Sequence, residues 1–133
     1  MKVFLDTNVL ASALVTRGAC AEVLREVISR HALIVGECVL DELNRVLRRQ
    51  FGASPADAQG AVALLREFHV EPTPAVLPDV PLKDTDDLKV IGAALTAWAD
   101  AVVTGDKEMQ SLGAVGALRI LSPRAFLQLS SRG

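Results

Sequence analysis

Four acidic residues occupy positions at which a carboxylate could do chemistry: Asp6, Glu42, Asp87 and Asp106. The first and the last follow short apolar runs, Val3–Leu5 and Ala101–Thr104, that are typical of strands. The other two lie in segments whose apolar residues recur at helical spacing. A buried carboxylate is costly unless hydrogen bonds or an opposite charge compensate it. The sequence therefore raises the question of what pairs with these four acids.

Helical geometry separates each of the two helical acids from an acidic neighbour. At about 100° per residue, Glu42 borders the apolar stripe of its helix, whereas Asp41 points nearly opposite to that stripe. Asp87 lies on the apolar face of its own helix, one turn before Ile91, whereas Asp86 is aligned less well with that face. Asp84 is predicted to be the N-cap of the same helix.

Each acid also has a simpler structural role available. Asp6 could cap the helix that follows it, Asp84 and Asp87 have the spacing of a capping box, and Asp106 could belong to a turn. Glu42 could pair with an arginine on its own helix. These roles do not explain why four carboxylates gather at strand ends and apolar faces, since like charges in one cleft repel unless a cation neutralises them. Oxygen ligands without Cys or His favour Mg²⁺ or Mn²⁺ over zinc.

The bulk composition excludes several classes of protein. The 133 residues fit one domain, residues 1–133. The net charge of −2 and the scarcity of aromatic residues (four Phe, one Trp, no Tyr) argue against a module that only binds nucleic acid. The longest nearly apolar run, Val90–Ala99, is far shorter than the roughly 20 residues of a membrane span, and the start lacks a signal-like pattern. We expect a cytoplasmic protein with no membrane partner, whose apolar excess is covered in an oligomer.

The cysteines and histidines form no recognisable site. Cys20 and Cys38 make no CxxC pair, and their apolar neighbours predict two reduced thiols in the core. His31 and His69 each follow a helical segment and have no Ser or Cys motif beside them, which predicts surface or cap positions.

Short apolar strands alternate with amphipathic helices, which predicts an α/β fold with a mostly parallel sheet. The predicted strands are Val3–Leu5, Leu33–Val35, a short strand from Val70, Ala101–Thr104 and Leu118–Leu121. The predicted helices are Asn8–Val15, Ala19–Arg30, Val39–Gln50, Pro55–Phe68, Asp86–Trp98 and Pro123–Leu129, with the proline-rich loop Glu71–Pro81 before the fifth. Trp98 is predicted to lie on the buried face of that fifth helix. Sites in such sheets form outside the carboxyl ends of the strands, where Asp6 and Asp106 would meet.

Four segments of the chain resemble the acidic motifs of the PIN domain family: FLDTNVL, DELNRVL, DTDDLKVIGAAL and ADAVVTGDKEM. The resemblance runs from about Val3 to Leu129 and is closest to the VapC-type toxins of bacterial toxin–antitoxin pairs. It implies a Rossmann-like α/β/α sandwich with a central, mostly parallel sheet. It also implies a ribonuclease that depends on Mg²⁺ or Mn²⁺, forms a homodimer or higher homo-oligomer, and is held inactive by a small antitoxin protein.

The resemblance also assigns roles by position. It makes catalytic metal ligands of Asp6, Glu42, Asp87 and Asp106. Asn8 and Thr104 would support that site, and Asp84 would be an additional ligand or a neighbour of one. The segment DKEMQSL after the TGD motif is more polar than is usual in the family, which bears on a local interface more than on the site.

The expected chemistry is hydrolysis of an RNA phosphodiester by metal-activated water. Basic residues near the acids, namely Arg45, Arg49 and Lys107, are candidates for contacts with RNA phosphates, although each could equally be a solvated surface charge. Two alternatives remain open at this point. One is a PIN-like module that binds RNA or a partner without catalysis. The other is a Mg²⁺-dependent phosphatase of the haloacid-dehalogenase type, which needs a second Asp where this chain has Asn8.

Overall fold

The computed structural model describes residues 1–132, so that Gly133, the last residue of the predicted domain, lies outside the described range. The strands are β1 (Lys2–Leu5), β2 (Ala32–Gly36), β3 (His69–Glu71), β4 (Ala101–Val103), β5 (Ala114–Val115) and β6 (Leu118–Leu121). The helices are α1 (Thr7–Val15), α2 (Ala19–Arg30), α3 (Glu37–Gln50), α4 (Pro55–Leu65), α5 (Thr85–Thr96), α6 (Lys107–Gln110) and α7 (Pro123–Ser131).

The six strands form one sheet in the order β3-β2-β1-β4-β6-β5. All neighbouring strands pair in parallel except β5, which runs antiparallel to β6 at the edge. The connections that leave β1 and β2 lead toward one edge of the sheet, whereas those that leave β3 and β4 lead toward the other. Ligands of open α/β sheets bind where the strand order reverses in this way, here between β1 and β4.

Helices cover both faces of the sheet at its centre. Successive residues of a strand point to opposite faces, yet all of Val3–Leu5 and Ala101–Val103 are fully buried. Strands buried on both faces are typical of parallel sheets between helical layers. The predicted fold class, an α/β/α arrangement around a mostly parallel sheet, is therefore confirmed.

The region after α5 corrects the sequence prediction. The helix ends at Thr96 rather than Trp98, and Trp98 takes a left-handed backbone conformation (φ 57°) with 82% of its surface exposed. Because the helix has already ended, Trp98 leaves the helical face that its spacing predicted, and Ala97 and Ala99 are buried on either side of it.

Other differences are small. α4 ends at Leu65 rather than Phe68, because the chain turns at Arg66, and α3 begins at Glu37, two residues before the predicted start. The short elements α6 and β5 were not predicted, since two to four residues carry too little periodicity. Within residues 1–132, no helix is both long enough and apolar enough to span a membrane.

Cys20 and Cys38 are free thiols, as predicted, but they are only half-buried and do not lie in the core. Both lie on helix surfaces that touch the core without entering it. The histidine prediction is confirmed, because His31 is the C-cap of α2 and His69 is exposed on the edge strand β3.

Close packing at Gly92 fixes the position of α5. A Cβ atom at this residue would lie 2.8 Å from Cγ of Pro74 and 3.2 Å from Cδ of Pro78. The absence of a side chain therefore lets the proline-rich loop lie directly against the helix. This contact matters for the site because the N-cap and the first turn of α5 carry three of the acids described next.

Candidate active site

The acids of the sequence prediction surround one cavity of about 330 Å³ at the carboxyl ends of β1 and β4. We call it the acid cavity and define it by its lining residues: Asp6, Asn8, Glu42, Asp84, Asp86, Asp87, Val90, Gly105 and Asp106. Four separate parts of the chain supply these residues, namely the ends of β1 and β4, the middle of α3 and the first turn of α5. The fold thus brings together residues up to 100 positions apart in the chain.

The buried hydroxyl of Thr104 joins the two strand ends. Leu5 pairs with Val103 in the β1–β4 register, which sets Asp6 beside Thr104. Oγ1 of Thr104 donates a hydrogen bond to Oδ2 of Asp6 (2.8 Å) and accepts one from the backbone N–H of Asp106 (3.0 Å). Gln110 adds a hydrogen bond from Nε2 to the Thr104 carbonyl (2.7 Å).

Three of the acids do serve as helix caps, as their spacing allowed. Oδ1 of Asp6 accepts from the backbone N–H of Thr7 (2.8 Å), and Oδ1 of Asp84 accepts from that of Asp86 (2.8 Å). Oδ1 of Asp106 accepts from the first turn of α6. Capping engages one oxygen of each carboxylate, which leaves the other oxygen for a different partner.

Glu42 is positioned by a residue that the sequence reasoning missed. Thr7 is almost fully buried, and its Oγ1 donates a long hydrogen bond (3.4 Å) to Oε2 of Glu42. Glu42 lies inward on α3 while Asp41 is exposed, as the helical geometry predicted. The signal for Thr7 was its place directly after Asp6, at the start of a helix that packs against α3.

The first turn of α5 presents both Asp86 and Asp87 to the acid cavity. Asp87 is half-buried, and among the hydrogen bonds within residues 1–132 none ends on its carboxylate. Asp86 is exposed, lies 3.8 Å from Nζ of Lys89 and still lines the rim. The sequence analysis ranked Asp86 below Asp87 because it judged only the helix's own apolar face, whereas the rim is formed jointly with α3.

Burial and mutual repulsion raise the pKa values of three acids in the cavity, Asp6, Glu42 and Asp87. Burial raises the pKa of Asp87 to about 7, and the negative charges of Asp106, Asp84 and Asp6 contribute to the rise. Burial also raises the pKa of Asp6, against the hydrogen bonds from Thr104 and Thr7. The pKa of Glu42 is raised by burial, then by the charges of Asp6 and Asp86.

The donor set fits a hard divalent cation. It consists of carboxylate oxygens, and the ion pairs of the described chain leave Asp6, Glu42, Asp87 and Asp106 without a basic partner. A cation there would offset the burial and the repulsion that raise the pKa values of Asp6, Glu42 and Asp87. Across residues 1–132, no three His, Cys, Asp or Glu side chains are grouped so that they could hold an ion as they stand. Joint ligation therefore requires at least one carboxylate to rotate toward the others.

The predicted basic residues lie at different distances from the acids. Arg45 and Arg49 line a hollow that shares Glu42 and Asp86 with the acid cavity. Lys107 is exposed at the first position of α6 and lines neither that hollow nor the acid cavity. Its neighbour Glu108 instead accepts a hydrogen bond from the backbone of Lys83 (3.5 Å).

A carboxylate cluster at the reversal point of a parallel sheet is an arrangement suited to a metal-dependent hydrolase. The PIN domain family matches residues 2–108, so the chain belongs to the PIN domain family. The match covers all four acids and ends two residues after Asp106. PIN nucleases in general use divalent metal ions.

Three solved structures share the fold of this chain. VapBC2 of Rickettsia felis, bound to a DNA fragment from the promoter, is 13% identical, with a TM-score of 0.65 over 92% of this chain and 98% of that chain. VapC20 of Mycobacterium tuberculosis, a toxin that cleaves the sarcin–ricin loop, is 20% identical (TM-score 0.62; 88% and 98% covered). VapBC-1 of nontypeable Haemophilus influenzae is also 20% identical (TM-score 0.61; 93% and 99% covered). Among curated proteins, none matches the chain.

Proposed function

We propose that residues 1–133 form one PIN domain that hydrolyses RNA phosphodiester bonds with a divalent cation, Mg²⁺ or Mn²⁺, as the toxin of a toxin–antitoxin pair. The observation that carries the proposal is the acid cavity, in which four carboxylates without basic partners converge at the strand-order reversal. Family membership adds support, because a PIN domain with all four acids has the groups that nuclease chemistry needs.

The four acids would hold the cation: Asp6, Glu42, Asp87 and Asp106. A cation held by these residues would supply Lewis-acid stabilisation of the phosphate and of the leaving oxygen, and it would make bound water more acidic. Thr104 orients Asp6 and the backbone of Asp106, and Thr7 orients Glu42. Two further cavity residues, Asn8 and Asp84, would support the ligands.

A proton must leave the attacking water, and Asp87 and Glu42 are the candidates to accept it. Asp87 has a pKa of about 7, near the pH at which a general base works best. Its carboxylate accepts no hydrogen bond from another part of the described chain, which leaves both oxygens free for water. Direct contact with the cation would lower this pKa. The proton acceptor would therefore be whichever of Asp87 and Glu42 does not touch the cation directly.

RNA would be held through its phosphates, since the cavity offers no aromatic side chain for base stacking. Arg45 and Arg49 lie beside the cavity and are the nearer candidates for phosphate contacts, with Lys107 farther away. The similar VapBC structures support a cognate antitoxin as the protein partner. A homo-oligomer and a cytoplasmic location complete the proposal.

RNA cleavage by purified protein tests the function directly. The protein is freed of any co-purifying partner and incubated with total cellular RNA and Mg²⁺ or Mn²⁺, beside the variant Asp6→Asn. Asparagine keeps the cap to Thr7 but removes the charge. We expect cleavage by the wild type and a loss of about 100-fold or more in the variant. Absence of cleavage by the wild type, or equal cleavage by both proteins, contradicts the proposal.

Metal binding can be measured without activity. Mg²⁺ or Mn²⁺ at about 100 times its Kd should raise the free energy of unfolding by about 2.7 kcal/mol. Asp6→Asn should show a smaller gain at the same concentration because one ligand has lost its charge. Equal gains in both proteins, measured by thermal unfolding, would place the ion elsewhere.

A further inference from the structure

Among the hollows that adjoin α3, two lead from the acid cavity toward the C-terminal end of this helix. The first, the connecting hollow, is lined by Glu42, Arg45, Val46, Arg49, Gln50 and Asp86, and it shares Glu42 and Asp86 with the acid cavity. The second, the arginine pocket, measures about 350 Å³ and is lined by Arg45, Arg48, Arg49, Ala53 and Pro55. Because neighbouring hollows share wall residues, the three form one continuous path across the surface.

The spacing along α3 sets the length of this path. Glu42 and Arg49 are seven residues apart and face the same side of the helix, about 10 Å apart along its axis at about 1.5 Å per residue. Arg48 reaches the arginine pocket from the other flank of the helix. The path is therefore longer than one step between neighbouring phosphates of a single strand.

The three guanidinium groups are available to a ligand. All three arginines are exposed, and the ion pairs within residues 1–132 engage other residues. By contrast, Arg66 is held in two hydrogen bonds by Glu37 (2.8 and 2.9 Å), and Arg30 lies 3.2 Å from Glu26. Guanidinium groups bind phosphate through paired hydrogen bonds, and a pocket lined by three of them suits a phosphate better than an apolar side chain.

We propose that the arginine pocket is a phosphate subsite for the same RNA strand that is cut at the acid cavity. The strand passes through the connecting hollow, and a phosphate beyond the neighbour of the scissile one rests among Arg45, Arg48 and Arg49. This inference rests on the proposed function and adds a defined footprint to it. It also gives a role to Arg48, which the sequence analysis did not select.

Salt-dependent binding tests the subsite without cleavage. The probe is a fluorescein-labelled single-stranded RNA of mixed sequence, about 12 nucleotides long. All proteins carry Asp6→Asn and are measured without divalent metal, by anisotropy, at several salt concentrations between about 50 and 200 mM. Arg48→Gln with Arg49→Gln should reduce the slope of log affinity against log salt by roughly 0.7, the value for one lost phosphate contact on a single strand. Affinity at about 100 mM salt should fall about 5-fold.

Two matched variants separate phosphate binding from other effects. Arg25→Gln removes one positive charge from an exposed position on α2, outside the three hollows, and should leave the slope unchanged. Arg48→Lys with Arg49→Lys keeps the charges and should retain most of the slope. Exposed positions on a helix tolerate these changes, and thermal unfolding verifies that each variant is folded.

The subsite and the function can fail separately. If wild-type protein cleaves RNA but the double Gln variant keeps its slope, or Arg25→Gln loses as much, the subsite is wrong and the function stands. If the double variant binds RNA normally but loses binding to a co-expressed antitoxin, the pocket serves a protein and the subsite is again wrong. If partner-free wild-type protein cleaves no RNA, the proposed function fails, and with it the subsite.

Discussion

The cavities at the two ends of the central sheet differ in the charges of the residues that line them. At the carboxyl ends of β1 and β4, the acid cavity gathers six acidic residues. At the other end lies a cavity of about 470 Å³, lined by Met1, Arg30, His31, Asp100, Ala117, Arg119, Leu129 and Ser130. Here both signs of charge occur. Asp100 accepts a hydrogen bond from the backbone N–H of Lys2 (2.7 Å), and Nε2 of His31 lies 3.0 Å from Oγ of Ser130.

This difference indicates which end is built for a ligand. The side chains of Asp100, His31 and Ser130 at the second end have partners within the chain, so they stabilise the fold without a ligand. Burial, together with the charges of neighbouring carboxylates, raises the pKa values of Asp87 and Glu42, which costs stability that an external cation would restore. The larger cavity is thus the structural one, and the smaller cavity is the candidate for chemistry.

Matched Asp→Asn changes at the two ends should give the largest contrast. We expect Asp106→Asn to reduce RNA cleavage about 100-fold or more, because it removes a proposed ligand charge. Asparagine is also a good N-cap, so α6 should persist. Asp100→Asn keeps an acceptor for the Lys2 N–H and should cleave at the wild-type rate. Equal losses in both variants, measured as kcat/KM, would contradict the contrast between the ends.

Removal of the Thr104 hydroxyl should have the next largest effect. Thr104→Val keeps the shape but deletes the hydrogen bonds to Asp6 and from Asp106. We expect cleavage to fall about 10- to 100-fold, as for other residues that orient metal ligands. The free energy of unfolding should fall by about 1–3 kcal/mol. Thr104→Ser restores the hydroxyl and should recover most of the activity; a failure to recover it would point to packing instead.

The pH dependence of stability tests the raised pKa of Asp87 in the acid cavity, and this test needs no substrate. The pKa of Asp87 is about 7 in the folded protein and 3.8 in its ordinary state, so the folded state binds the proton more tightly. Metal-free wild-type protein should therefore lose stability as the pH rises from about 4 to about 7. Asp87→Asn should lose less across the same window in thermal unfolding.

His31 has the opposite effect on the pH dependence of stability, but this effect is the same in wild type and in Asp87→Asn. Burial lowers its pKa, so its protonation destabilises the fold as the pH falls, equally in both proteins. Identical pH profiles for wild type and Asp87→Asn would show that Asp87 keeps its ordinary pKa.

The smallest effect is expected at the second end of the sheet. Ser130→Ala removes the hydroxyl that meets His31 and should cost about 1 kcal/mol of unfolding free energy. RNA cleavage should not change, because Ser130 belongs to the structural end. A loss of cleavage comparable to that of Thr104→Val would instead mean that the two ends are coupled.

Much of the acid cavity was predictable from local pattern. Helical spacing alone separated Glu42 from Asp41, and capping rules identified Asp84 as an N-cap. Strand ends followed by Asp indicated that Asp6 and Asp106 would share an edge, since parallel strands align their carboxyl ends. These regularities involve residues close together within one helix or strand, so they can be recognised in a single sequence.

Features formed by two distant elements were missed. Asp86 lines the cavity because α3 lies opposite it, and Thr7 matters because α3 brings Glu42 within reach. Trp98 was misassigned because its spacing fitted the helix, but the helix ended earlier. The arginine pocket likewise depends on Ala53 and Pro55, which follow α3 in the chain.

The sequence by itself determined the alternation of strands and helices and the places of the four acids, because apolar periodicity and capping residues act over only a few positions. The resemblance to the PIN domain family came separately, from the four acidic motifs. Only the tertiary structure decided that these acids surround one cavity, that Thr104 bridges Asp6 and Asp106, and that arginines continue the path along α3. The physical reason is that the pKa values and the hydrogen bonds depend on distances between side chains that sheet order and helix packing set.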